Sequence, residues 1–386
     1  MNRPKLGLST IAIHGMPHRR PDWSPVAPSL HQSSTFLNPI GSDEEVIYSR
    51  YGNNPNQVEL ARKYAMLEGA DAAIFVSSGM GATALAHLAV LRPGDHLISS
   101  TWIYGGTQKL FDEELGRYGI DVTYVSPDQV RLWRKSVRKS TRAIFVETPT
   151  NPLMRVIDLA PIAYAAEEYG LALLVDATFA SPINFRPLEH GADVVITSAT
   201  KYLNGHSDVI AGAVAGSASF VEEVTRLMRI WGQSIDPHAA WLIDRGMRTL
   251  AVRMERHNIN GMAVAQWAER HPGISKVHYP GLVSHPDHKY AETALAGYGG
   301  MVGLELKGGA KAAERMLKRL KLIVHAPSLA GVETLVSEPR LTSHKGIGVE
   351  GRTKIGIPDG FLRLSCGIED AQDIIGDLEQ GLKGEK

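Results

Sequence analysis

Between Asp71 and Gly216 the chain alternates short apolar runs with stretches of helical period. The runs are AAIFV, HLIS, VTYV, AIFVE, LALLVDAT, DVVITSAT and VIAGAVAG. Runs of this length with little polar alternation predict strands buried on both faces, so a mostly parallel sheet flanked by helices. From Ser219 to Arg270 the period turns helical, first as FVEEVTRLMRIWG and then as WLIDRGMRTLAVRMERHNINGMAVAQWAER, long enough to link two domains. His271-Pro272-Gly273 stops it. Beyond follow a strand-like MVGLELKG, a helix AKAAERMLKRL, a loop from His325 to Ile357, a strand FLRLSCG and a last helix from Ile368. Pro, Ser and Asn crowd the first sixty or so residues, which read as an extended arm that packs on something else. The expected division is an arm over 1–60, a large domain over 61–255 and a small C-terminal domain over 256–386.

Composition narrows the class. Hydrophobic residues at 44% and charged residues at 21% suit a folded protein, and exclude a disordered chain or a coiled coil. Lys+Arg and Asp+Glu both number 41, so bulk charge gives no reason to expect nucleic-acid binding. The single cysteine, Cys366, rules out an intrachain disulfide and is expected as a core thiol in a reducing compartment. MNRPKLGLSTIAIHG has no apolar stretch of signal-peptide length, and aliphatic runs such as Leu171 to Val175 fall far short of the roughly 20 residues a membrane span needs. The expectation is a cytoplasmic protein with no membrane partner. None of the histidines sits in an HExxH or a Cys/His cluster; His285 and His288 of SHPDH read as solvated or capping, and no metal is expected.

Lys201, in DVVITSATKYLNGHSD, follows an apolar run that predicts a central strand, which delivers its amine to the strand's carboxyl end, where open α/β sheets bind ligands. Taken alone, such a lysine is ordinarily a surface charge. Asp176 ends another run, LALLVDAT, where a carboxylate is ordinarily a cap or turn residue but needs a partner if buried. A Schiff-base lysine and an aspartate that keeps a pyridine nitrogen protonated are the pair that a pyridoxal phosphate enzyme requires. One helix and one strand separate the two residues, placing both at one sheet edge. SSGMGATAL, after AAIFV, offers small residues opening a helix, whose free N–H groups suit a phosphate; Ser198 and Thr200 can add hydroxyls.

These residues carry a resemblance. The chain resembles the cysteine/methionine-metabolism family of pyridoxal phosphate enzymes, which includes cystathionine γ-synthase, cystathionine γ-lyase, methionine γ-lyase and cystathionine β-lyase. The similarity runs almost end to end, through YSRYGNNPN, SSGMGA, YGGT, ETPTNP, VDATFASP, SATKYLNGHSD, SLAGVETL and RLSCGIED. It implies a fold type I architecture: an α/β large domain built on a mostly parallel seven-stranded sheet, a smaller C-terminal α/β domain and an N-terminal arm. It also implies pyridoxal 5'-phosphate as cofactor and an amino acid as substrate. Lys201 would be the Schiff-base lysine and proton shuttle, Asp176 the partner of the pyridine nitrogen, and Tyr104 the ring stacked on the cofactor. Gly79, Met80, Ser198 and Thr200 would hold the phosphate. Tyr48 and Arg50 would reach the phosphate of the neighbouring subunit, so the active unit would be at least a dimer, within a homotetramer built as a dimer of dimers. Arg363 would grip the substrate α-carboxylate, with Ser328 and Asn151.

Departures from the family pattern bear on specificity. Gly106 stands where methionine γ-lyases carry cysteine, and Pro327-Ser328-Leu329 replaces the Tyr-Ser-Trp of cystathionine β-lyases. Pro327 also replaces the glutamate of bacterial γ-synthases and animal γ-lyases, and Ala330 the usual glycine. The resemblance thus implies elimination or replacement at the γ-carbon of a homoserine-derived or cystathionine-type amino acid. The alternatives are a γ-lyase for another γ-substituted amino acid with a polar leaving group, methionine γ-lyase, and, behind these, cystathionine β-lyase or an aminotransferase. A non-catalytic member of the fold would lack Lys201, Asp176 or Arg363, all of which are present.

Overall fold

The computed structural model of the chain describes residues 6–16, 21–346 and 348–384. Residues 1–5 and 17–20 of the expected arm lie outside the described residues. Each of the seven apolar runs forms a strand: β1 (Ala72–Val76), β2 (His96–Ser100), β3 (Asp121–Val125), β4 (Thr141–Glu147), β5 (Ala172–Asp176), β6 (Val194–Thr197) and β7 (Gly212–Gly216). They make one sheet in the order β1-β7-β6-β5-β4-β2-β3. Only β7 runs antiparallel to its neighbours, β1 and β6. The carboxyl ends of the other six strands therefore share one edge.

Side chains of successive strand residues go to opposite faces, and the core divides accordingly. Phe75, Val195 and Ala213 pack with Leu60, Tyr64, Ile243 and Met247, from the helices Pro55–Glu68 and Pro237–Met247. Ile74, Val76, Val194, Ile196 and Val214 pack instead with Ala82, Leu85, Val221 and Val224, from the helices Gly79–Val90 and Ala218–Trp231. A buried Lys63–Asp244 ion pair ties the first two helices together.

The second sheet comprises β8 (Ile274–His278), β9 (Met301–Leu306), β10 (Val324–His325), β11 (Leu335–Ser337) and β12 (Phe361–Ser365), in the order β10-β11-β12-β9-β8. Helices Gly309–Arg319 and Ala371–Gly381 cover it through Ala312, Ala313, Met316, Ile374 and Leu378. The stretch expected as a loop over 325–357 instead holds β11, the end of β10 and a helix, Gly348–Lys354. Strands of two and three residues are too short to show a period; pairing fixes them, Ser337 lying opposite Arg363 of β12. Helix Leu250–Arg270 bridges the two sheets, with Leu250 and Met254 in the first core and Val264, Ala265 and Ala268 in the second.

Cys366 is fully buried in the second core. His285 is buried rather than solvated: its Nδ1 accepts the Asp287 N–H at 3.2 Å and so caps a turn. Among the described residues no helix is long and apolar enough to cross a membrane, and no group of His, Cys, Asp and Glu side chains is arranged to hold a metal ion.

Candidate active site

A cavity of about 1170 Å³ opens where the carboxyl edge of the large sheet faces the smaller domain. Because β1, β2, β4, β5 and β6 run in one direction, the segments that follow them converge on it. Gly79 and Met80 come after β1, Tyr104 after β2, Asn151 after β4, and Ser198, Thr200 and Lys201 after β6, while Asp176 closes β5. The opposite wall is Pro327, Ser328 and Leu329 together with Arg363, on the central strand β12. Eleven of the thirteen residues singled out in the sequence thus line one cavity. Tyr48 and Arg50 do not. Arg50 donates from Nη1 to the Arg229 carbonyl at 2.6 Å, and its guanidinium lies over the rings of Tyr48 and Tyr51 at 5.5 and 5.0 Å.

The basic side of the cavity is organised around Ser328. Lys201 Nζ donates to Ser328 Oγ at 2.8 Å, and Arg363 Nη2 donates to the Ser328 carbonyl at 3.1 Å. Arg363 also donates from Nη1 to Asn151 Oδ1 at 2.8 Å and lies 6.0 Å from the Phe179 ring. Ser328 holds this place with φ at +90°, a left-handed conformation that is costly for a residue with a Cβ, and Ala330 follows at +65°. Burial, with the positive charge of Arg363 adding to it, pushes the Lys201 amine down to about 8. Burial lowers the Arg363 guanidinium to about 10, where it remains charged at neutral pH.

Asp176 sits at the acidic side. Burial raises its carboxyl above the usual range, while Thr178, whose N–H donates to Asp176 Oδ1 at 2.9 Å, offsets part of that. Among the described residues no cationic side chain is paired with Asp176. Thr178 also accepts the Ser198 N–H on its hydroxyl at 2.9 Å, coupling this strand end to the turn that carries Lys201.

The helix Gly79–Val90 begins at the cavity. Ser78 caps it by accepting the Gly81 N–H at 3.0 Å, leaving the N–H groups of Gly79 and Met80 without partners in the helix. A Cβ on Gly79 would fall 2.8 Å from that of Ser198, so only glycine lets this helix start close against the Ser198 turn. The Thr200 hydroxyl is engaged with the Ala211 main chain, donating to its carbonyl at 3.2 Å and accepting its N–H at 3.0 Å. These groups fit pyridoxal phosphate: N–H groups at a helix start for the phosphate, a half-buried carboxylate without a cation to accept from a protonated ring nitrogen, and a lysine amine of lowered basicity.

The Tyr104 ring lies over Gly106, where an added Cβ would stand 2.4 Å from Tyr104 Cε1. A larger residue there requires the ring to move. Sequence reasoning missed Glu147, Thr178, Phe179, Thr342 and Ser343, all of which line the cavity. Glu147 had a signal: it closes the run AIFVE as Asp176 closes LALLVD. Thr342 and Ser343 had none, since folding alone brings their loop against the Tyr104 turn.

Residues 9–383 match the family model described as Cys/Met metabolism PLP-dependent enzyme. The chain is similar to an L-methionine gamma-lyase of Fusobacterium nucleatum subsp. polymorphum, 39% identical over 397 residues and covering 99% of this chain and 100% of the relative. It is also similar to a cystathionine beta-lyase of Coxiella burnetii, 40% identical over 385 residues and covering 99% of each. Among solved structures, a cystathionine gamma synthase from Xanthomonas oryzae pv. oryzae in complex with aminoacrylate and cysteine superposes with a TM-score of 0.94 at 36% identity, over 98% of each chain.

Proposed function

The chain belongs to the Cys/Met metabolism PLP-dependent enzymes, and from that premise we propose elimination or replacement at the γ-carbon of a homoserine-derived or cystathionine-type amino acid. As a member of this family it is a pyridoxal-phosphate-dependent enzyme of sulfur amino-acid metabolism with the fold type I architecture. The observation that carries the finer reading is the joining of Lys201 Nζ and the Arg363 guanidinium through one residue, Ser328, inside a cavity with ample further volume. Gly106 and the sequence Pro327-Ser328-Leu329 favour this reading over the activities of the relatives described as methionine gamma-lyase and cystathionine beta-lyase.

Bound in this cavity, pyridoxal phosphate would supply the electron sink that lets C–H bonds of an amino acid break heterolytically. Gly79, Met80, Ser198 and Thr200 would hold its phosphate, Asp176 its ring nitrogen and Tyr104 its ring face. Arg363, planar and charged, receives the substrate α-carboxylate as a bidentate partner, with Asn151 and Ser328 beside it. Lys201, partly neutral near pH 7 because of its lowered basicity, removes the proton from Cα, passes that proton on and so regains its neutral form, and then takes one from Cβ; the electron pair left at Cβ expels the γ-substituent. Pro327, beside Ser328, faces that substituent and offers it no charge.

A homotetramer built as a dimer of dimers, in which Tyr48 and Arg50 serve the neighbouring subunit's phosphate, accounts for their absence from this chain's own cavity. Trp23, Leu37 and Ile40 of the arm are fully exposed in the single chain, as suits a segment that packs on another copy. The arm ends near residue 60, the large domain near 255 within helix Leu250–Arg270, and the protein works in the cytoplasm.

Product identity tests the reaction. Given cystathionine or an O-acyl or O-phosphohomoserine ester, with and without added thiol, the protein should yield 2-oxobutanoate or a γ-thioether. Pyruvate as the sole oxo acid would place the cleavage at Cβ and overturn the proposal.

A further inference from the structure

Glu147 is the last residue of β4, paired in register with Asp176, the last residue of β5. The two carboxylates therefore stand side by side at the carboxyl edge of adjacent parallel strands, and both line the cavity. Glu147 is only 4% exposed, and no cationic side chain forms an ion pair with it among the described residues. Its two oxygens are committed separately. Oε2 accepts the backbone N–H of Tyr104 at 2.7 Å, and Oε1 accepts the backbone N–H of Asn151 at 2.7 Å. Tyr104 begins the turn after β2 and Asn151 lies in the turn after β4, so one carboxylate bridges two segments that the sheet alone leaves independent.

We propose that Glu147 is a positioning residue: by holding one backbone N–H with each oxygen, it fixes the Tyr104 turn and the Asn151 turn relative to each other, and so aligns the aromatic cover of the cofactor with the Asn151–Arg363 pair that receives the substrate carboxylate. This rests on the roles given above to Tyr104 and Asn151. Burial and the neighbouring Asp176 push the Glu147 carboxyl up, while the two N–H donors and Arg363 offset part of that; both bonds are shielded from water, where an amide left unpaired is costly. Only a carboxylate of this length can accept at both ends. Glutamine keeps one acceptor and turns an N–H against the other amide; aspartate keeps the carboxyl group, but its shorter arm reaches one amide only.

Glu147→Gln tests the inference by two readouts. In the cofactor-free protein, hydrogen exchange at the amide of Tyr104 or of Asn151 should accelerate by about tenfold, from loss of one buried hydrogen bond, while the amides of Ala143 to Val146 keep their protection. In the cofactor-loaded protein, the visible band should persist but affinity for an unreactive amino acid should fall by about tenfold or more, and Glu147→Gln should add little to the loss already caused by Asn151→Ala. Should the glutamine variant not fold, Glu147→Asp is expected to give the same exchange signature. Unchanged exchange at both amides, or affinity losses that simply add, would overturn the inference. A variant and wild type that both fail to take up pyridoxal phosphate, yet differ in exchange as described, would overturn the cofactor reading alone and leave the grip of Glu147 standing.

Discussion

Lys201 follows β6 with its amine on Ser328 Oγ, within a wall that also holds Arg363, and burial together with that neighbouring charge brings it down to about 8. A neutral amine is the form that attacks a carbonyl carbon. Uptake of pyridoxal phosphate by the cofactor-free protein should therefore quicken as pH rises and level off above a midpoint near 8. Stopped-flow growth of the visible band measures this, and a rate independent of pH between about 6 and 9 would remove the lysine from the step. Lys201 and Asp176 were legible because each closes or follows an apolar run, so strand prediction alone put both at one edge. Glu147 carries the same signature, but sequence position does not reveal which main-chain amides a carboxylate will meet. The left-handed Ser328 and Ala330 were not legible either: neither residue type asks for that conformation, and the surrounding packing imposes it.

Helix Pro55–Glu68 shows how an element can be well specified locally and still carry an internal cost. Asn54 and Gln57 form a reciprocal capping box at its start, Pro55 occupies the first position, and Gly69 ends it at φ +73°. Leu60, Tyr64 and Leu67 bury one face, but Glu68 is buried with them. Burial pushes the Glu68 carboxyl up to about 8, with Tyr64 and Arg186 offsetting only part and Glu189 adding to it. The unfolded chain releases that proton near the ordinary carboxylate value, so between there and about pH 8 the native state binds more protons. Stability then falls as pH rises, by about 1.4 kcal/mol per pH unit within that window. Glu68→Gln should remove this slope and be the more stable form at pH 8, as read from urea midpoints across pH; parallel curves for the two proteins would contradict it. The longer elements were readable from period and run length. β8, β10 and β11 were not: ISKVH sets two exposed polar residues inside its five, and in β10 and β11, of two and three residues, pairing partners decide the structure.

At the scale of the whole molecule, the cavity exists because helix Leu250–Arg270 is anchored in both cores and holds the face of β12 against the edge of the large sheet. That juxtaposition was foreseen only through the resemblance, since periodicity predicts sheets but not how two sheets dock. Arg50 lies outside this chain's own cavity and is proposed to serve a second chain. Mixing Arg50→Ala with Lys201→Ala after confirmed subunit exchange should restore some activity, because in a mixed dimer the site with an intact lysine receives Tyr48 and Arg50 from the other chain. No recovery would mean that the arm serves its own subunit. The central claim, that this cavity holds pyridoxal phosphate on Lys201, is tested most directly by treating the loaded protein with borohydride and locating the added mass by peptide mass spectrometry. The account predicts loss of the visible band and a pyridoxyl phosphate group on Lys201 alone; an unmodified Lys201, or the group fixed on another lysine, would contradict it.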